Sequence, residues 1–190
     1  MTTALWLLAF QGALGAFDTL YYHEWRARLP AGGASTRDEL RLHAARDFIY
    51  AVVFGTLPWL AWRGAWSPVL AALLAAEVFI TLKDFVVEDR VRKALGGVYA
   101  GERVTHAVMG IVYGSFLARL APTLYGWWLA PTSLATVEGA APTALRWALA
   151  LMCAGVFLSG VRDLSAASGL RHGAWPWRAA GSGEVRVQGD

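Results

Sequence analysis

Five stretches of this chain are long and apolar enough to be buried on every side: Ala4 to Tyr22, Ala44 to Trp62, Pro68 to Phe85, Val104 to Trp128 and Ala141 to Val161. A helix crosses a hydrocarbon core with about 20 apolar residues, and a soluble domain of this size has no interior large enough to hide five. Composition agrees. Of the 190 residues 56% are hydrophobic and only 16% charged, with a mean hydropathy of +0.41, whereas a soluble domain is nearer a half apolar and a quarter charged. The chain reads as an all-α polytopic membrane protein with five transmembrane helices, which excludes disorder and disulfide-stapled secreted folds. The single cysteine, Cys153, lies inside an apolar run and reads as packing. The first stretch is kept as a helix: no basic residue precedes it, and Phe17, Asp18 and Thr19 make no small-residue cleavage site.

Lys and Arg are distributed unevenly between the spans. Arg26, Arg28, Arg37 and Arg41 follow the first, Lys83, Arg90, Arg92, Lys93 and Arg103 surround the third-to-fourth connection, and Arg162, Arg171, Arg178 and Arg186 follow the fifth. The second connection has only Arg63, and Trp128 to Ala141 has none. Positive loops stay in the cytoplasm, so the N-terminus is expected outside and the C-terminus inside. This also accounts for the net charge of +3 without a nucleic-acid partner. Trp59, Trp62, Trp66, Trp127 and Trp128 then form an outer aromatic belt, to which Arg119 and Arg146 snorkel. Residues 1–164 form the membrane domain, and 165–190 an irregular cytoplasmic tail.

Residues 24 to 50 repeat in 88 to 113. Glu24, Arg26 and Arg28 correspond to Glu88, Arg90 and Arg92 at an offset of 64; Glu39, His43 and Tyr50 correspond to Glu102, His106 and Tyr113 at 63. The halves, about 4–62 and 68–128, read as two hairpins running in the same sense, forming a four-helix bundle with the fifth helix (141–161) packed outside. In Glu-x-x-x-His the side chains are i and i+4 on one helix face, so both reach a common centre. Four carboxylates and two imidazoles are expected to converge at the cytoplasmic end as metal ligands: Glu24, Glu39, His43, Glu88, Glu102 and His106. Tyr50 and Tyr113, two turns deeper, are candidates to relay protons or hydrogen atoms. His23, Asp47, Glu77, Asp84 and Asp89 are candidates to surround and orient the ligands. His23 has no repeat partner, since Val87 stands in its place, and reads first as an interfacial histidine. Asp18 shares a face with Gln11 and Tyr22 and reads as a buried hydrogen-bonded seam. Gly12, Gly15, Gly110 and Gly114 read as small residues for close helix packing.

The order Glu, Glu-His, Glu, Glu-His resembles the ferritin-like dimetal-carboxylate proteins, which draw one Glu from each of two helices and a Glu/His pair from each of two others. Their pair is spaced Glu-x-x-His, and here both halves carry one residue more. The resemblance covers residues 24 to 106 and is one of ligand pattern. It implies two metal ions, iron first and manganese second, bridged by carboxylates and used to activate dioxygen.

The chain carries no Gly-rich phosphate loop, no Cys pair, no G-x-S-x-G and no H-E-x-x-H. The expected function is therefore dimetal oxidation, hydroxylation or desaturation, of a lipid or other lipophilic substrate. A cytoplasmic reductase would supply electrons, and the basic loops would meet that partner or anionic headgroups. Two rivals come from other classes. His43 and His106 are possible axial ligands of a haem b in an electron-transfer protein, and Glu77, Asp84 and Asp18 are possible markers of a cation or proton carrier. A metal-water hydrolase is a variant of the first reading.

Overall fold

The computed structural model describes residues 1–93, 96–137, 139, 141–170 and 172–177. Arg171 and the expected tail from 178 on, including Arg178 and Arg186, lie outside the described residues. The chain is mainly helical: α1 (Thr2–Phe17) continues directly into a π-helix (Asp18–Arg26), followed by a short 3-10 turn (Leu29–Ala31), α2 (Arg37–Thr56), α3 (Trp66–Arg92), α4 (Ala100–Trp128) and α5 (Thr143–Ala167). Three continuous helical segments, Thr2–Arg26, Ala100–Trp128 and Thr143–Ala167, are long and apolar enough to cross a membrane. α2 and α3 carry more ionisable residues, and six of these, Glu39, His43, Glu77, Asp84, Glu88 and Arg92, are buried. The outside is apolar, with Phe79, Ile111 and Leu151 at 69%, 71% and 75% exposure. Water would penalise such a surface and lipid would not.

The helices close a five-membered ring in the order α1, α4, α3, α2, α5. This departs from a four-helix bundle with a peripheral fifth helix. α5 packs chiefly against α2 and also touches α1, standing between the two helices of the first hairpin. Small residues permit that approach. A Cβ on Gly55 would sit 3.0 Å from the Cys153 sulfur, and one on Gly160 would sit 3.3 Å from the Ala44 carbonyl oxygen. Gly12 likewise admits Phe54 and Met152, while Gly110 and Gly114 face open space rather than a neighbouring helix.

At the aromatic end the structure adds an element that the apolar pattern does not announce. Leu60–Arg63 (β1) and Ser133–Thr136 (β2) pair antiparallel, Leu60 opposite Thr136 and Arg63 opposite Ser133. The second span therefore ends at Thr56, and β1 takes up part of the stretch assigned to it. Gly64 makes the turn out of β1 at φ +55°, lying so close to Thr132 that a side chain would strike its backbone. Trp59 packs edge-on against Trp147 at 5.5 Å and under the Arg146 guanidinium at 4.1 Å. Core packing of Leu5, Leu8, Val53, Leu57, Leu70, Phe116, Leu120 and Leu149 joins all five helices beneath this cap.

Candidate metal centre

The opposite end holds the ionisable residues, and their arrangement begins with a break in helical period. In a π-helix the hydrogen bond runs from i+5 to i, so side chains five apart share a face where an α-helix would align those four apart. Asp18 and His23 are thereby turned inward together, at 1% and 5% exposure. Glu24 is rotated away toward α5. There it is held by the Arg162 guanidinium and by the Trp177 indole N–H, which donates to it at 3.1 Å. The sequence alignment sets Glu24 opposite Glu88. In the structure, the residue one turn after Asp18 is His23, as Glu88 is one α-turn after Asp84.

His106 Nε2 lies 3.1 Å from Asp18 Oδ2, and His23 Nε2 lies 3.3 Å from both Asp18 Oδ2 and Glu102 Oε1. One donor atom from each of Asp18, His23, Glu102 and His106 falls within 4.8 Å of the other three. Ligands about 2.1 Å from a common ion stand about 3.0 to 3.4 Å apart, so these spacings suit metal ligation. His23 Nε2 is shared between two carboxylates, and Asp18 Oδ1 is buried and makes no hydrogen bond. Buried polar atoms are seldom left so without a partner. Glu102 Oε2 meanwhile accepts from the Tyr99 backbone N–H at 3.4 Å, capping the N-terminus of α4 and fixing its carboxylate.

Two further groups adjoin this one. His43 stacks on His23, ring centroids 4.6 Å apart, with Nε2 3.2 Å from Asp84 and Nδ1 3.7 Å from Asp163 on α5. Arg46 reaches Asp84 at 3.4 Å. The third group is centred on Arg92, whose guanidinium is fully buried. Its Nε donates to Glu39 at 2.9 Å and its Nη2 to Glu102 at 3.0 Å, with Glu88 3.8 Å away. Arg92 thus belongs to the interior and not to the positively charged loop; it follows Glu88 by four residues on the inward face of α3.

The halves exchange partners across the bundle. The first hairpin's His43 meets the second's Asp84, the second's His106 meets the first's Asp18, and Glu39 and Glu102 share one guanidinium. Glu88 stands 3.6 Å from His106 Nδ1, where it orients the ring. Six carboxylates, Asp18, Glu39, Asp84, Glu88, Glu102 and Asp163, surround only two guanidiniums, Arg46 and Arg92. The imidazoles of His23, His43 and His106 each stand within 4.0 Å of at least one of these carboxylates.

Of the expected ligands, Glu102 and His106 enter the four-donor group, Glu39, His43 and Glu88 lie in the groups beside it, and Glu24 stands apart. Asp84 contacts His43 at 3.2 Å. Asp89 is on the surface, 3.5 Å from Lys93. Asp47, Glu77, Tyr50 and Tyr113 line clefts between the helices. Sequence reasoning passed over Asp163 and placed Asp18 and His23 outside the ligand set; the available signals were Asp18 inside the first apolar run and Asp163 two residues past the fifth.

Two clefts flank the four-donor group, about 270 and 320 Å³ in volume, with Asp18 lining the first and His106 the second. Gln11, Arg46, Tyr50 and Met109 are common to both. No protein family, curated protein or solved structure matches this chain.

Proposed function

We propose that the protein is a membrane-embedded, metal-dependent oxidoreductase that binds one iron ion at Asp18, His23, Glu102 and His106 and acts on a lipophilic substrate. The observation that carries this reading is the convergence within 4.8 Å of one donor atom from each of Asp18, His23, Glu102 and His106, with Asp18 Oδ1 buried and without a hydrogen bond. Two imidazoles with carboxylate oxygens form the donor set of non-haem iron oxygenases, and manganese is the next candidate. Iron held there would supply dioxygen activation for hydroxylation or desaturation. One ion is favoured over the expected pair because Arg92 already neutralises Glu39 and Glu102; a second ion among these carboxylates would have to displace it.

The chain's own groups have separable tasks. Glu88 holds His106 Nδ1 and so aims Nε2 at the ion, Arg92 fixes Glu102, and the flanking clefts admit an apolar substrate while excluding bulk water. Tyr50 and Tyr113, in the cleft wall, would pass protons toward the centre. In the membrane all five helices would span, with the N-terminus outside and the connections around Ala34 and Gly97 in the cytoplasm. Electrons would come from a reductase docking there, on the face that carries Arg28, Arg37, Arg41, Arg90 and Arg103, which would also contact anionic headgroups.

Elemental analysis and an absorption spectrum of protein purified after iron and manganese supply test the reading. One iron per chain without a Soret band is expected. A Soret band would replace it with the haem reading, and the absence of stoichiometric metal would reduce the cluster to an ion-pair network.

A further inference from the structure

Arg46 is a cation that the metal reading does not use. It stands on α2 within the second apolar stretch, and its side chain is 15% exposed, between the sealed Arg92 and the open Arg90. A guanidinium carries five N–H donors. Among the described residues Arg46 makes one hydrogen bond, a long one from Nη1 to Asp84 Oδ2 at 3.4 Å. None of its nitrogens is both unbonded and closed off from the surface. The Nε and Nη2 donors are therefore open to the space beside them. That space is the interior of the bundle, because Arg46 lines both clefts. An arginine inside a lipid-solvated bundle is costly and faces a partner or a pathway.

The clefts share Gln11, Arg46, Tyr50 and Met109, so Arg46 stands where they adjoin. From there one runs past Gly12, Met152 and Val156 and the other past Val78, Leu82 and Leu117, walls that suit a hydrocarbon chain. Gly155 in the first and Gly114 in the second leave room, since a Cβ on either would meet nothing within 4 Å. At about 270 and 320 Å³ they lie near the lower end of small-molecule sites. Open guanidinium donors call for an oxygen acceptor, and the neighbouring acids decide which kind. Asp84 bonds Arg46, Asp18 and Asp47 line the first cleft with it, and Glu77 lines the second. An anionic head would be pressed against these acids, whereas a neutral carbonyl accepts from the guanidinium without adding charge. We propose that a lipophile bearing a neutral carbonyl group binds where the clefts adjoin, its oxygen accepting from Arg46 and its chain lying along one of the two apolar arms. This rests on the proposed function and deepens it by naming the substrate class. Arg46 and His43 share Asp84 Oδ2, and His43 stacks on His23, so the carbonyl end of the ligand, not its tail, lies toward the metal centre.

Equilibrium binding to the full chain in detergent micelles tests this, corrected for partitioning into the micelle, with metal content measured on the same sample. The probes are heptadecane, 2-heptadecanone, methyl palmitate and palmitate. The ketone or the ester should bind at least about tenfold tighter than heptadecane, the worth of a hydrogen bond to a charged group, and the tighter of the two identifies the source as a ketone or an acyl ester. Palmitate should bind no tighter than either. Arg46→Met should erase the preference for a carbonyl, and Arg46→Gln, which keeps two N–H donors, should restore part of it. Gly155→Leu or Gly114→Leu should block the probes by filling the arm that the chain occupies; these variants and the wild-type comparison decide the matter even where Arg46→Met does not fold. Equal binding of heptadecane and both carbonyl probes, a preference that survives Arg46→Met, or full binding in both leucine variants overturns the inference. Palmitate binding tenfold tighter than the ester overturns it in favour of an anionic lipid. Metal without carbonyl preference rejects this inference alone, and carbonyl preference without metal rejects the iron reading alone.

Discussion

Replacing Arg92 with methionine removes the cation at the centre of the buried network while keeping a side chain of similar length. Its guanidinium donates to Glu39 at 2.9 and 3.2 Å and to Glu102 at 3.0 Å, with the side chains 1% exposed or less. Solvent cannot replace it, so two carboxylates are stranded, and breaking a buried pair from one side costs about 3–5 kcal/mol. At about 2–4 °C per kcal/mol for a chain of this size, the midpoint of thermal unfolding should fall by about 6–20 °C. Arg90→Met is the control: its pairing with Asp38 is 3.9 Å long and both side chains are more than half exposed, so its loss should cost at most about 1 kcal/mol. The assay is intrinsic tryptophan fluorescence during heating in detergent micelles. Adding Glu39→Gln to Arg92→Met removes one stranded charge and should recover part of the loss. If Arg92→Met melts within 2 °C of Arg90→Met, the buried-network reasoning is wrong.

Removal of an imidazole from the four-donor group, by His23→Ala or His106→Ala, should abolish stoichiometric iron in elemental analysis, whereas Glu24→Gln should retain it; the reverse pattern would restore the six-residue assignment. Deleting Leu20, which is exposed at 66%, leaves Asp18 and His23 four positions apart, the spacing that shares a face in an α-helix, so metal content should be kept as in Leu20→Ala; a collapse of metal confined to the deletion would refute the account of the π-helix. Topology reporters fused at Ala34 and Gly97 should be active only in the cytoplasmic form, and activity in an extracytoplasmic context would invert the orientation. Arg162→Met should release Glu24, which is only partly buried, lower the melting midpoint slightly and leave metal unchanged.

Much of this was readable from local pattern. Apolar runs marked the helices because lipid demands length and hydrophobicity, and Glu39/His43 and Glu102/His106 were brought inward together because i and i+4 share an α-helical face. Residues on regular helices therefore declared themselves. Three features did not. The π-helix shifts the facing residue from Glu24 to His23, and a count based on the α-helical period cannot register that shift. Arg92 resembles a loop cation in sequence, yet lies one turn past Glu88 on the inward side. α5 carries no repeat, and its place between α1 and α2, which delivers Asp163 to His43 and Arg162 to Glu24, depends on helix-to-helix complementarity at Gly55 and Gly160. The sequence by itself determined the apolar helices and the two repeats that carry Glu39/His43 and Glu102/His106, since these depend on neighbours within a few residues. Only the tertiary structure decided which carboxylates meet an imidazole and which meet a guanidinium, because that choice depends on the rotation and order of whole helices, set by packing between residues tens of positions apart.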